Sequence, residues 1–314
     1  MKEDKFSENL ENVNQFKITD ETDIRSLIES LTGTGFNAKR LAHACQIYEK
    51  MISDGECVKF FGLAGAMVPV GMQGIIHDFI EEGFIDILVT TGANLTHDIA
   101  ETLGYHHLQG DVEPTALDDA SLRGEKMNRI FDVFLPDEVY MGIEDFVSEL
   151  EIPDLEMPVS QFLRFLGEQL PDDPNSILKI CAEQEVPIFC PAFTDCGLAL
   201  QLGFHYRDMN LNHFKDMMEM VNLAWDAENA GVCIVGGGVP KNFIFQSLQF
   251  CPTSAKYAIQ ITTDRPEPGG LSGATLDEAV SWGKVNERAQ KSMVISDATI
   301  ALPIILWYLK STQE

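Results

Sequence analysis

Positive charge is what this sequence has least of. Across 314 residues it carries 22 Lys+Arg against 49 Asp+Glu, a formal charge of −27 at pH 7. Holding a nucleic-acid backbone requires a basic stripe that displaces condensed counterions, and a surface this acidic repels a polyanion. Nucleic acid is therefore excluded as a partner, and neutral or cationic ones remain. Runs of about 18 apolar residues, long enough to span a bilayer, are also missing. The opening residues, MKEDKFSENLENVNQFK, have no apolar core of the kind a secretory signal needs, so no membrane partner and a cytoplasmic location are the expectations. The seven cysteines (45, 57, 181, 190, 196, 233, 251) are odd in number and form no CxxC pair. Most sit in apolar runs such as GECVKFFG, PIFCPA and GVCIVGG, and they read as reduced core thiols, not a disulfide or zinc framework. The seven histidines offer no HExxH motif, and His106 and His107, adjacent on an extended segment, should point apart. No metal is expected.

What is present is an ordinary globular composition, 45% hydrophobic and 23% charged, with no tandem repeat, low-complexity tract or Pro/Gly/Ser linker in its middle. The organisation expected is a mobile acidic arm over residues 1–20 and a single domain over 21–314. Amphipathic periods predict helices over 22–31 and 37–53, the second after the breaker GTGFN. A repeating grammar follows. Strands are expected at 58–63, 85–90, 188–190, 232–235, 257–261 and 293–295. Helices are expected at 70–82, 95–103, near 198, and at 212–229, 241–250, 276–282 and 298–309. The stretch 111–174 reads as more helical and irregular. Alternation of this kind predicts an α/β fold with a parallel sheet covered on both faces and ligands at the carboxyl ends of its strands.

Four loops that follow expected strands are rich in small residues: Gly62–Ala66, Thr90–Asn94, Gly236–Pro240 and Pro268–Ala274. Small side chains let amide N–H groups approach anionic oxygens, and three of these loops lead into helix N-termini, where a dinucleotide pyrophosphate would fit. None is a GxGxxG with an acidic residue at the usual spacing, and a single Gly turn is more often structural, so the weight lies in all four together. Asp297, opening the last helix in ISDATIALP, is accounted for by N-capping, with cofactor contact as the alternative. Asp195, in CPAFTDCGL, stands where a carboxylate could read a ribose hydroxyl, and capping or solvent roles weigh equally. His97 and His205 follow strand-end loops and could line a site, although a lone histidine is more often solvated or buried in a core. Lys284 closes DEAVSWGK. At a helix C-terminus a lysine ordinarily faces water; beside a tryptophan its ammonium can be desolvated, and the neutral amine can then form a Schiff base. Glu278, six residues earlier, does not share a helical face with it, so any meeting of the two must come from the turn at Gly283.

Taken in order, VTTGANLTHD, MNRIFDVFLP, PIFCPAFTD, GGGVPKN, SGAT, DEAVSWGK and SDATIALP resemble the deoxyhypusine synthase family, from about Cys57 to Leu309, roughly four-fifths of the chain. DEAVSWGK is the most specific, because it is long and contains the family's catalytic lysine. The resemblance implies a Rossmann-like fold with extra N-terminal helices, NAD as cofactor, and a homotetramer with sites formed across a dimer interface. It implies an aminobutyl transferase that takes the four-carbon group of spermidine onto an enzyme lysine as an imine, placed by the match at Lys284. The group then passes to an acceptor amine, a lysine of the translation factor eIF5A by default. The implied cofactor positions are Gly65, Ala66, Met67, Thr91, Gly92, Ala93, Asp195, Gly237, Gly238, Thr263, Asp297 and Ala298. The implied amine-side positions are His97, His205, Asn242, Gly269, Ser272, Glu278 and Trp282, with Trp282 offering an aromatic face to a cation and Glu278 a counter-charge.

The sequence also departs from the family's pattern. Leu200 and Leu271 stand where spermidine-using members have amine-binding aspartates, His97 stands for a glutamate, and Asn242 for a histidine. Each lost charged hydrogen bond to a polycation weakens it by about 1–3 kcal/mol. The variants GLAGAMVP, GGGVPKN and GGLSGAT resemble the bacterial and archaeal deoxyhypusine synthase-like branch. Two alternatives accompany the default: transfer between free polyamines, as in homospermidine synthesis, and an idle NAD-binding subunit that supports an active paralogue.

Overall fold

The computed structural model describes residues 10–111 and 118–313; the first nine residues of the acidic arm lie outside the described residues. From residue 10 the arm runs exposed, and Asn14 donates its backbone N–H to Gly33 O at 2.8 Å. Two helices follow, α1 (Ile24–Thr32) and α2 (Phe36–Ser53). A capping box starts α1: Asp23 accepts from Ser26 N at 2.8 Å, and the Ser26 hydroxyl accepts from Asp23 N at 3.0 Å.

Next come β1 (Cys57–Leu63), α3 (Gln73–Glu81), β2 (Ile87–Thr90) and α4 (Gly92–Thr102). The central stretch supplies β3 (Leu108–Gln109), α5 (Asp119–Gly124), β4 (Met127–Ile130), β5 (Val133–Pro136), α6 (Glu138–Glu149), β6 (Glu156–Met157), α7 (Val159–Gln169) and α8 (Ile177–Glu183). The remainder is β7 (Ile188–Phe189), α9 (Gly197–His205), β8 (Asn210–Leu211), α10 (His213–Asp226), β9 (Asn229–Val235), α11 (Gly238–Leu248), β10 (Ala255–Thr262), α12 (Leu276–Ser281), β11 (Val285–Ile295) and α13 (Ala298–Ser311).

Six strands form one sheet in the order β11-β10-β9-β1-β2-β7, and every neighbouring pair is parallel. The expected α/β, Rossmann-like architecture is present. Both faces are covered, which is why the strands are apolar at consecutive positions. Phe61, Leu63 and Val235 pack with α2, α4 and α13 on one side; Phe60, Val232 and Ile234 pack with Ile244 and Phe245 of α11 and Met220 of α10 on the other. Truncating either Phe60 or Phe61, each 1% exposed, costs about 3–5 kcal/mol. The chain leaves β1 toward β2 and β7, then returns to β9 and runs outward through β10 to β11. The switch point therefore lies between β1 and β9, the place where a parallel sheet opens a crevice at its carboxyl edge.

Three segments differ from their sequence reading. The helix expected over 70–82 begins instead as a wide turn at Val68–Met72, because Gly71 takes φ +84, and only then continues as α3. The last strand extends back to Val285, its polar run NERAQKS being compatible with the exposed edge of a sheet. Within the stretch read as more helical and irregular, β4 and β5 form an antiparallel hairpin turned at Phe131 with φ +56, and β3, just before that stretch, pairs with β5.

Candidate active site

Because the six strands are parallel, the loops that leave β1, β2, β7, β9, β10 and β11 all emerge at one edge. Their contacts form a continuous floor. A Cβ on Gly92 would lie 2.6 Å from Cys196 Sγ, so the turn after β2 abuts the loop after β7 that carries Asp195. Asn94 Oδ1 accepts from Val68 N at 3.3 Å, joining the same turn to the segment after β1. Ala64 N donates to Val235 O at 3.0 Å, across the switch point. A Cβ on Gly237 would lie 2.5 Å from Ser272 Cα, and Gly238 N donates to Ser272 Oγ at 3.1 Å. The floor thus runs from Asp195 through Thr91, Gly92 and Ala93, past Gly65, Ala66 and Met67, to Gly237, Gly238 and Ser272. Thr263 follows β10, and Asp297 and Ala298 open α13 after β11.

Local physics explains each turn. Thr91 caps α4, its hydroxyl accepting from Asn94 N. Gly65, Gly236 and Gly238 have φ of +84, +72 and +54, a region in which a side chain is strained. Asp297 caps α13, Oδ1 accepting from Thr299 N and Thr299 Oγ1 at 2.9 Å each, so its capping role is realised. Asp195 is exposed on the loop after β7.

At the end of the floor a small cavity of about 60 Å³ is lined by Lys241, Asn242, Leu271, Glu278, Trp282 and Lys284, among others. Gly283, at φ +71, terminates α12: Gly283 N donates to Val280 O at 3.0 Å and Lys284 N to Ala279 O at 3.1 Å, the paired bonds of a Schellman turn. That reversal brings Lys284 back onto the cavity that Glu278 also lines. Lys284 is half-buried, its Nζ 5.4 Å from the Trp282 ring centroid. Trp282 itself is 59% exposed. Among the described residues no ion pair and no hydrogen bond engages Lys284 Nζ.

The second lysine of the cavity was not singled out by the sequence. Lys241, on α11, is 2% exposed and donates to Gln260 Oε1 at 2.9 Å, Leu271 O at 3.0 Å and Ala274 O at 2.6 Å. Burial pushes its amine down to about 8; Lys284 adds to that, and Glu278 opposes it. A lysine in GVPKN at a helix start reads as solvent-exposed, and its acceptors lie 19 to 33 residues away.

The remaining amine-side positions are placed differently. His97 lies within α4, its Nδ1 2.8 Å from His107 Nε2; His107 Nδ1 is 2.5 Å from Glu101 Oε1, and His106 Nδ1 2.8 Å from Glu101 Oε2. His106 and His107 therefore converge on one carboxylate instead of pointing apart. Burial pushes His97 down to about 4, with His107 adding to it and Glu101 opposing. Burial would raise Glu101, but the bonds from His107 and His106 outweigh it and bring it to about 2. His205 is exposed and pairs with Glu144 at 3.6 Å. Asn242 donates to Gln246 at 3.1 Å, and Gly269 is exposed at φ +76. Leu200 is 58% exposed on α9, away from the cavity that Leu271 lines. His77, Asp78 and Glu81 on α3 place one ligand atom each within 4.8 Å, but Lys310 Nζ, 3.3 Å from Asp78, already supplies a counter-charge there.

Comparison with known proteins decides the family. The model of the deoxyhypusine synthase family matches residues 26–309. The chain belongs to the deoxyhypusine synthase family. It is 48% identical over 295 residues to "Probable deoxyhypusine synthase 1" of Methanosarcina acetivorans, covering 92% of each chain. It is 41% identical over 287 residues to a protein of the same name from Archaeoglobus fulgidus, covering 91% of this chain and 93% of that one. A "Deoxyhypusine synthase-like protein" of Chlorobaculum tepidum is 32% identical over 300 residues, with 90% and 85% covered. Among solved structures, one from Entamoeba histolytica that carries the deoxyhypusine synthase name superposes with a TM-score of 0.62 at 17% identity, covering 94% of this chain and 95% of that one, and shares its fold. In this deoxyhypusine synthase family member the glycine-rich floor and the Lys284 cavity lie side by side, joined at Ser272.

Proposed function

We propose that this chain is an NAD-dependent aminobutyl transferase, deoxyhypusine synthase-like, that carries the group as an imine on Lys284. One observation carries the reading: of two lysines on the same cavity, Lys241 has all three of its protons engaged by fixed oxygens, whereas Lys284 has an uncommitted amine against an aromatic face. Only the second has a nitrogen available for covalent chemistry.

The floor fits a dinucleotide. On this reading the pyrophosphate would lie at the N-terminus of α4 and the ribose near the exposed Asp195, and the close approach of Gly237 to Ser272, which a Cβ would fill, leaves backbone open to the ligand. NAD bound there would accept a hydride from the donor and return it at the end. The chain's own residues do the rest. Glu278 holds the ammonium of the amine, and Trp282 covers it. Loss of a hydride from carbon and a proton from the neighbouring nitrogen leaves the donor as an imine. Lys284 Nζ bonds to that carbon, the original C–N bond breaks, and 1,3-diaminopropane departs from spermidine. The acceptor amine then bonds to the same carbon, Lys284 is released, and hydride and proton complete the new secondary amine.

The acceptor is a lysine of an eIF5A-like protein. The second reading keeps the chemistry but transfers between free amines, and one feature bears on it: Glu278 is the sole carboxylate lining the cavity among the described residues and Leu271 lines it as well, so the site pairs one ammonium and suits a smaller amine better than a long polycation. Purified protein incubated with NAD and labelled spermidine, together with eIF5A or putrescine, separates them, since only the true acceptor gains label. Transfer to neither, with NAD bound, supports the idle subunit instead. The reading includes a cytoplasmic homotetramer with sites across a dimer interface; the large apolar side chains left on the surface, Phe214 at 78%, Trp307 at 61% and Trp225 at 54% exposure, support self-association.

A further inference from the structure

A lysine buried to 2% exposure requires a reason, because an ammonium removed from water is costly unless every proton finds an acceptor. Lys241 meets that condition with one side-chain and two backbone oxygens. Its partner Gln260, 0% exposed, donates Nε2 onward to Gly236 O and Ser272 O, both at 2.8 Å. Two side chains thus tie the turn after β9 to the loop 268–275, and that loop leads directly into α12, which presents Glu278 and, through Gly283, Lys284. We propose that Lys241 is a positioning residue for the Lys284 site, its ammonium joining Gln260 to the carbonyls of Leu271 and Ala274 and so fixing α12 relative to the glycine floor.

The role assigned to Lys284 rests on the function proposed above; the clamp itself does not. Lys241 makes no covalent step, because its nitrogen has no free position while protonated. The charged groups that face it are few. α11 has no other ionisable side chain, and the loop 268–275 has none. β10 contributes uncharged Gln260, and α12 contributes Glu278, with Lys284 beyond it; Asp277 of α12 pairs with Lys291 at 3.0 Å. His213 and Asp216 of α10 face Asn242 and Phe243 across a separate groove. Lys59 of β1, at the far end of that strand, pairs with Asp86 at 2.8 Å. As its amine lies near 8, the clamp loses one of its three bonds in mildly alkaline solution.

The full-length chain with NAD tests this by two independent readouts. In Lys241→Met, amide hydrogen exchange should rise at least about tenfold across residues 268–284 while α4 keeps its protection, with partial recovery in Lys241→Arg. Per NAD-binding site, the maximal rate at which borohydride traps a spermidine-derived adduct on Lys284 should fall at least about tenfold, and recover in part with the Arg variant. Unchanged exchange, or an unchanged rate per NAD site, overturns the proposal. If wild-type protein traps no adduct, the proposed function fails while the exchange readout still decides the clamp. Should neither variant fold, wild-type exchange decides it: corrected for intrinsic rates, the amides of Gly273 and Ala274, in the loop the clamp holds, must be protected at least about tenfold above the exposed segment 264–267, and equal exchange in the two overturns the clamp.

Discussion

Glu101 and His97 of α4 are joined through His107, which follows the helix, into a hydrogen-bonded chain in which burial favours the neutral form of the His97 imidazole. The sign of its pH effect follows from linkage. His97 takes up its proton near 4 when folded and at 6.5 when unfolded, so its contribution is complete above 6.5 and is lost as pH falls toward 4. The contribution is on the order of 3 kcal/mol. Urea denaturation of His97→Gln should show a flatter fall of stability between pH 6.5 and 4 than wild type; identical slopes would remove the neutral imidazole from the account. At this scale the sequence exposed the motif-bearing residues, Lys284, Trp282 and Glu278, because they are close in the chain and chemically distinctive. It hid Lys241 and the His97–His107–Glu101 chain, since both are defined by neighbours that only folding supplies.

Turns, more than strands, set the site at the scale of elements. Gly237 has an extended φ of 172, so its substitution brings no backbone strain; the difficulty is the Ser272 backbone 2.5 Å from an added Cβ. Gly237→Ala should destabilise by about 1–3 kcal/mol and weaken NAD binding, and Ser272→Gly should not restore it, because the nearest atom is a Cα. Calorimetry and NAD titration check both; wild-type values would mean that the two loops are not packed as described. Gly283→Ala meets open space but a φ of +71, and should cost about 1 kcal/mol while slowing capture on Lys284. A wild-type capture rate in that variant would free Lys284 from its Schellman turn. β1, β2, β9 and β10 were legible as short apolar runs because both of their faces are buried. β11 was legible only at its apolar end, and the hairpin of β4 and β5 was not, since MNRIFDVFLP has neither a regular alternation nor a Gly turn.

Over the whole molecule, the sheet order explains why loops spread from residue 65 to 298 meet at one edge: parallel strands deliver every following loop there, and the reversal at β1 and β9 opens it. That much was implied by strand–helix alternation alone. The charge of −27 attracts cations to the molecule as a whole and is screened by salt. The half-saturating concentration of a polyamine donor should therefore rise as ionic strength goes from about 0.05 to 0.5 M, with little change in maximal rate; salt independence would mean that the net charge has no part in capture. Among the described residues no helix is long and apolar enough to cross a membrane. The most direct measurement of the central claim is borohydride trapping of wild-type protein with NAD and labelled spermidine, followed by peptide mapping. A single labelled peptide carrying its adduct on Lys284, absent from a Lys284→Arg variant that still binds NAD, is the predicted result. Label on Lys241 or another lysine, or full turnover by the Lys284→Arg variant, would contradict it.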